Sequence, residues 1–242
     1  MALSARPANK LLEARAQDAP TAEVSFDLGM STLQVDLSGS GVDGPAGMLP
    51  WPVIETIAAD DHGCFEIVSA EPRRLQCMSS MTGRLASLYA TDGPPALLLS
   101  GTLMHRIKGV HPGQDTQLKL APLGRLSAFR VLDTATGLGY TSIEARRRGA
   151  LSVHTTELDP AVVDLQRRNP WSQELFRDDQ IVCDTGDIAV EIERFEEDQF
   201  DRILHAPPVL ELAGDLYGGA FYTQLRRVLT RRGRLFHYIG NL

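Results

Sequence analysis

The sequence predicts an α/β fold in which a doubly wound parallel sheet follows a small antiparallel β-domain. Three observations predict it. From Ser127 onward, apolar strand-like runs alternate with helix-forming segments, the grammar of parallel strands joined by crossover helices. Before that point, short alternating runs broken by turn residues extend from Ala22 to about Leu120. Where the first predicted core strand ends, Asp133-Thr-Ala-Thr-Gly137-Leu-Gly139-Tyr140 places a carboxylate ahead of a glycine-spaced turn and a helix start.

Taken in order, residues 1–20 are polar and alanine-rich and read as a flexible tail or a loosely docked helix. Residues 21–125 read as an N-terminal β-rich domain. Residues 22–29, 31–37, 64–70 and 73–79 have strand-like alternation or β-branched content, and the glycine-rich stretches 38–47 and 90–95 supply turns. One short helix is expected over residues 52–59. Residues 126–242 read as the ligand-binding sheet domain, with strands over 130–135, 152–158, 180–186, 200–206 and 233–239. The intervening helices begin near Tyr140, Pro160, Asp187 and Ala213. Asp159-Pro160 is a strong helix start, a capping side chain followed by proline at the first helical position. The sequence stops at Gly240-Asn-Leu242, directly after the fifth strand, and an open sheet ending there leaves an apolar edge. A C-terminal truncation is the expectation, ahead of an edge covered by another chain, and a homodimer is compatible with the same edge.

Composition narrows the function classes. With 242 residues and 43% hydrophobic content the chain can bury a substantial core, and its net charge of −7 argues against a general affinity for nucleic acid. Arginine pairs and triples at 146–148, 167–168, 226–227 and 231–232 fall near predicted helix ends, where cations complement the carbonyl terminus. Three irregularly spaced cysteines form neither a disulfide framework nor a zinc site, and no histidine shows metal-ligand spacing. No apolar run is long enough to span a bilayer, and the N-terminus lacks a secretory h-region, so a cytoplasmic location is expected.

Four strand ends carry polar groups to the carboxyl edge of the sheet, where open α/β sheets bind ligands. Asp133 stands where a dinucleotide site holds glycine, and no third glycine follows Gly139 at the required spacing. A carboxylate there repels a pyrophosphate but suits a cationic ligand such as S-adenosylmethionine, with its sulfonium and α-ammonium. Glu157 ends the second strand, close to the separation of about 20 residues at which a carboxylate reaches a ribose diol. Asp187, after Gly186, is either an acceptor for an adenine amino group or a helix cap. His205, ahead of Ala206-Pro-Pro208, is either a base titrating near neutrality or a core histidine bonded to backbone.

The segments Asp133–Tyr140, Glu157-Leu-Asp-Pro160, Gly186-Asp187 and Gly233-Arg-Leu-Phe-His237 resemble the ordered motifs of class I S-adenosylmethionine-dependent methyltransferases, whose core is Rossmann-like. A narrower likeness is to the spermidine synthase-like branch, in which a small β-domain precedes that core. Residues 97–104, 115–123 and 216–222 are similar to that branch's pre-core strand, acidic turn and helix, and segment after the fourth strand. Within the branch the chain looks most like uncharacterised archaeal and bacterial proteins with an Asn169-Pro-Trp-Ser172 segment. The resemblance implies a cofactor site of Asp133, Thr134, Gly137, Gly139, Tyr140, Glu157, Asp187 and Ile188, an acceptor pocket with Asp115, Tyr217 and Tyr222, and His205 as the catalytic residue, without a metal. It implies S-adenosylmethionine, or its decarboxylated form, as cofactor and a small-molecule or protein acceptor.

One departure bears on the reaction. Aminopropyltransferases resemble an aspartate-bearing motif at the end of the fourth strand, and here that position is Ala206. A polyamine needs anionic partners along its path. Methyl transfer is therefore the first expectation, aminopropyl transfer the second, and a non-catalytic cofactor-binding member of the fold the third.

Overall fold

A computed structural model describes residues 1–208 and 213–239. The chain divides into two units. One comprises Met1–Met78, Arg84–Pro112 and Arg168–Trp171, and the other Ser79–Gly83, Gly113–Arg167 and Ser172–Leu242.

The first unit begins with β1 (Ala2–Ser4) and α1 (Ala5–Ala16), so residues 1–20 are not the tail the composition suggests. Leu3, Ala8 and Leu11 are fully buried against Trp51, Ile54 and Ile57. The inward face of α1 is built partly from alanines, which carry little apolar signal in a sequence yet pack closely. The β content is divided among small sheets. Two hairpins come first, β2 (Thr21–Val24) with β3 (Leu33–Asp36), and β4 (Gly41–Gly44) with β5 (Gly47–Pro50). The second occupies a stretch read as turn. Its glycines permit close strand approach, since a Cβ on Gly41 would lie 2.2 Å from the Leu49 carbonyl oxygen. After α2 (Trp51–Ala58), β6 (Cys64–Val68) pairs with β1 and with β7 (Glu71–Arg74). A four-stranded antiparallel sheet follows, formed by β8 (Gln76–Met78), β9 (Leu85–Tyr89), β10 (Ala96–Leu99) and β11 (Thr102–Leu103). The Trp171 indole N–H donates to the Leu28 carbonyl at 3.0 Å, fixing part of the Asn-Pro-Trp segment in this unit.

The second unit is built on a five-stranded parallel sheet. In chain order its elements are α3 (Pro112–Leu120), β12 (Arg130–Asp133), α4 (Tyr140–Arg147), β13 (Ser152–Glu157), α5 (Pro160–Arg168), β14 (Ile181–Thr185), α6 (Ile188–Glu191), β15 (Phe200–His205), α7 (Gly219–Val228) and β16 (Leu229–His237). The strand order β14-β13-β12-β15-β16 reverses direction at β12, which makes the carboxyl end of β12 a topological switch point. Alternation along β12 assigns the faces. Val131 packs with Leu120, Leu123, Leu126 and Ile143, and Leu132 packs on the opposite face with Ile188, Phe221 and Leu225. Leu120, Leu123 and Leu126 thus join this core, which places the start of the unit ahead of the residue-126 boundary expected from strand grammar.

The clustered arginines mostly meet partners other than the carbonyls of their own helix ends, and Arg231 and Arg232 lie within β16 and not at a helix end. Arg146 pairs with Asp178 at 2.9 Å, Arg148 with Glu144 at 2.9 Å, and Arg227 donates to the carbonyls of Ile192 and Phe195. β16 pairs irregularly with β15 near Gly233, where a Cβ would lie 2.4 Å from Leu229 Cδ1. Residues 240–242, on which the expectation of truncation rests, lie outside the described residues. Among the described residues no helix is long and apolar enough to cross a membrane.

Candidate functional site

The site is organised by the turn between β12 and α4. Gly137 and Gly139 both have positive φ, at 53° and 80°, and Gly139 is the residue preceding the first turn of α4. A Cβ on Gly139 would lie 2.2 Å from Leu175 Cδ1, so its glycine answers to packing as well as to backbone. A Cβ on Gly137 would meet nothing within 4 Å, so this glycine presents bare backbone to open space.

Four side chains clamp the turn. Glu157, at the end of β13, accepts the Gly137 N–H at 2.8 Å through Oε2 and the Asp159 N–H at 3.0 Å through Oε1. Gln166 of α5 donates to the Gly137 carbonyl at 2.6 Å. Ser172 donates to the Leu138 carbonyl at 2.7 Å, and Leu175 packs against Gly139. Residue-by-residue reading missed Gln166, Ser172 and Leu175. The available signal was Gln166 itself, a polar residue on the apolar stripe of α5 with Val162 and Leu165.

Asp133 follows Val131 on the same strand face and turns its carboxylate toward the first turn of α4. Oδ2 accepts from Thr141 Oγ1 and, at 3.0 Å, from Ser142 Oγ. Burial pushes its pKa up to about 6, an effect opposed by those hydroxyls and by the Lys119 charge. Burial likewise pushes Glu157 up to about 7, against the backbone N–H groups it accepts. Each Glu157 oxygen has a second lone pair, so the carboxylate can hold the turn and still accept from a vicinal diol. Two carboxyls that titrate near neutrality thus stand at the ends of adjacent strands, one of them bonded to a half-buried glycine.

The other expected cofactor residues fall in varied places. Thr134 is buried with Oγ1 2.7 Å from His205 Nδ1. Tyr140 is the first residue of α4 and nearly buried. Asp187 caps α6 through the Ala189 N–H at 2.9 Å, and Ile188 turns inward to pack with Leu132 and Phe200.

His205 requires correction as the catalytic base. Its ring is fully buried, with Nε2 3.0 Å from the Leu216 carbonyl and Nδ1 against Thr134. A carbonyl only accepts, so Nε2 carries the hydrogen and Nδ1 receives the Thr134 hydroxyl. Burial, with the His237 ring nearby, drives its pKa down to about 4. Both nitrogens are committed and the ring is neutral. β15 alternation explains this, since His205 lies on the same face as Ile203, toward Phe221.

Tyr217 and Tyr222 do gather, around His205 and His237. Tyr217 lies 5.3 Å from His237 between ring centroids, and the Tyr222 hydroxyl bonds His237 Nδ1. Among the described residues, His237 Nε2 is buried without a hydrogen-bond partner. Asp115, expected as an anionic wall of the acceptor pocket, is buried on α3 with Lys119 Nζ 2.8 Å from Oδ2. Its charge is already answered from within the chain.

The chain matches no protein-family model. It is 39% identical over 197 residues to an uncharacterised protein of Methanocaldococcus jannaschii, covering 81% of this chain and 66% of that one. In structure it is similar to spermidine synthase from Thermotoga maritima, with a TM-score of 0.55, 18% identity, and coverage of 71% of this chain and 61% of that one. It is similar also to a spermidine synthase in complex with a transition-state analogue, with a TM-score of 0.58, 17% identity, and coverage of 71% and 62%. The fold is that of spermidine synthase. The chain spans somewhat less than two thirds of the length of each of these proteins.

Proposed function

We propose that this chain, with the fold of spermidine synthase, binds S-adenosylmethionine at the Asp133–Glu157 edge and transfers its methyl group to a small-molecule or protein acceptor. The observation that carries the proposal is the Glu157 clamp. One buried carboxylate at the end of β13 holds the N–H of a glycine whose outer face is open, beside a second buried carboxylate at the end of β12. The donor set fits the cofactor: Glu157 for the ribose diol, Asp133 for the cationic methionine end, Asp187 for the adenine amino group, and bare Gly137 backbone for close approach. When bound, the cofactor supplies a methyl group activated by the sulfonium. The residues of this chain orient the reactants and exclude water, the larger part of catalysis in an in-line displacement.

Two observations favour methyl over aminopropyl transfer. Ala206 stands where the resemblance to aminopropyltransferases implies a carboxylate, and Asp115 is neutralised by Lys119. A polyamine would find no anion at either position. Where the acceptor needs a base, His237 is better suited than His205, because its Nε2 has no hydrogen-bond partner among the described residues, whereas both His205 nitrogens are committed. Equilibrium titration with S-adenosylmethionine tests the proposal, and a Glu157→Ala chain that folds yet binds equally well removes its main support. A cofactor-binding member without transferase activity is the second reading, favoured by Ala206. Restoration of transfer by Ala206→Asp in an otherwise inactive chain supports that reading.

A further inference from the structure

Helix α3 buries charge. Asp115, Thr116 and Lys119 are all turned inward, with relative exposures of 1%, 5% and 9%. A surface Asp–Lys pair one turn apart stabilises a helix slightly, but burying it exacts a desolvation penalty that its own attraction need not repay. The pair is also incomplete. Lys119 Nζ lies 2.8 Å from Asp115 Oδ2, yet off the direction of a hydrogen bond, and among the described residues that oxygen has no aligned donor.

Lys119 has a defined position on the second unit. Its ammonium sits 4.8 Å from the ring centroid of Tyr238. Tyr238 follows β16 and donates its N–H to the His205 carbonyl at 2.8 Å, which sets that ring beside the end of β15. The Lys119 charge also reaches Asp133 at the end of β12, where it favours the ionised carboxyl. The cation therefore stands at the carboxyl edge shared by β12, β15 and β16, within the candidate site.

We infer that Lys119 is a specificity-determining residue that pairs with the α-carboxylate of the donor and so selects S-adenosylmethionine over its decarboxylated form. The inference rests on the cofactor reading above and deepens it. The methionine end of S-adenosylmethionine is a zwitterion whose α-carboxylate can meet the Lys119 ammonium while its α-ammonium falls to Asp133; Asp115 Oδ2 is itself sealed from solvent and, among the described residues, serves Lys119 alone. The decarboxylated donor carries only positive charge at that end. It has no carboxylate for Lys119 and would bring only positive charge beside that ammonium, so lost attraction and added repulsion act in the same direction.

Calorimetric titration with each donor tests this in the wild-type chain and in Lys119→Met, which preserves most of the side-chain volume and removes the charge. A charge-assisted contact of this kind corresponds to roughly a tenfold to hundredfold change in affinity. The wild type is expected to bind S-adenosylmethionine at least about tenfold more tightly than the decarboxylated donor, and Lys119→Met to erase most of that ratio. Equal binding of the two donors by the wild type overturns the inference while leaving the nucleotide site intact. An unchanged ratio in Lys119→Met overturns it as well. If neither donor binds the folded wild type, the cofactor reading itself fails and this inference falls with it. Should Lys119→Met not fold, Asp115→Asn/Lys119→Met removes both buried charges together and is expected to lose the same preference, while the wild-type ratio stands as an independent test.

Discussion

Replacing Gly139 with alanine separates the packing role of the glycine turn from its ligand role. The new Cβ would lie 2.2 Å from Leu175 Cδ1 and 2.6 Å from its Cγ, at a φ of +80°. The left-handed backbone costs about 1–2 kcal/mol for a residue with a Cβ, and forcing a methyl into a filled core about 1–3 kcal/mol more. The sum, roughly 2–5 kcal/mol, is a large part of a typical stability of about 5–15 kcal/mol. At about 2–4 °C per kcal/mol for a chain of this size, the melting temperature should fall by roughly 4–20 °C. Gly137→Ala is the control. Its φ is +53° but no atom lies within 4 Å of the new Cβ, so the strain of about 1–2 kcal/mol stands alone. Thermal unfolding by calorimetry, paired with S-adenosylmethionine titration, distinguishes them. Gly139→Ala should lose stability heavily, whereas Gly137→Ala should lower the melting temperature by only about 2–8 °C and bind the cofactor poorly. In a Leu175→Ala background the Gly139→Ala penalty should shrink to the backbone strain. Equal destabilisation by the two alanines, or a Gly139→Ala chain that melts like wild type, refutes the reasoning.

Other expectations follow from the same site. Because Asp133 and Glu157 titrate near pH 6 and pH 7 and the ligand requires their ionised forms, affinity for S-adenosylmethionine should rise between pH 5.5 and 7.5, with proton release on binding; a flat profile in paired buffers counts against both assignments. The raised folded pKa values also mean that stability from the protonated forms is complete below 3.8 and 4.5 and is lost as pH rises through about 6 and 7. Glu157→Gln should therefore flatten this decline, cost about 1–3 kcal/mol because its amide nitrogen cannot accept one of the two backbone N–H groups, and weaken cofactor binding; chemical denaturation across pH reads the first two effects and calorimetry the third. His205 behaves oppositely: its folded pKa of about 4 gives stability that is complete above 6.5 and lost as pH falls through 4. His205→Phe should lower stability by about 2–3 kcal/mol by leaving Thr134 and the Leu216 carbonyl unpaired, with cofactor affinity changed less than threefold on the order expected of a positional effect; a large loss of affinity at intact stability contradicts its assignment to the core. Gln166→Leu should cost about 1–3 kcal/mol by orphaning the Gly137 carbonyl, a loss that denaturant titration resolves.

The strand ends of the parallel sheet are legible in the sequence because each couples an apolar run to an abrupt polar residue. Asp133, Glu157 and His205 are found in this way, and Asp159-Pro160 marks its helix by capping chemistry. The direction of a side chain at a strand end is less legible. His205 alternates with Ile203 and falls toward α7, whereas Asp133 alternates with Val131 and falls toward α4. The grammar of residue types places both at the edge, and only strand phase against the packed helices tells which one meets the ligand. Long-range partners are harder still. Gln166, Ser172 and Leu175 approach the glycine turn only after α5 folds back on β12, and of the three only Gln166, polar on an apolar helix stripe, carries a local mark. Lys119 reads as an ordinary helix lysine until its burial is known. α1 is legible only as an alternative to a tail, because alanine faces pack well and score poorly.

The central claim is that the Asp133–Glu157 edge is an S-adenosylmethionine site, and isothermal titration of the folded wild-type chain with S-adenosylmethionine tests it most directly. Saturable one-to-one binding that weakens at least about tenfold in Glu157→Ala is the predicted result. A folded chain that takes up no S-adenosylmethionine, or that binds it with unchanged affinity after Glu157→Ala, contradicts the account.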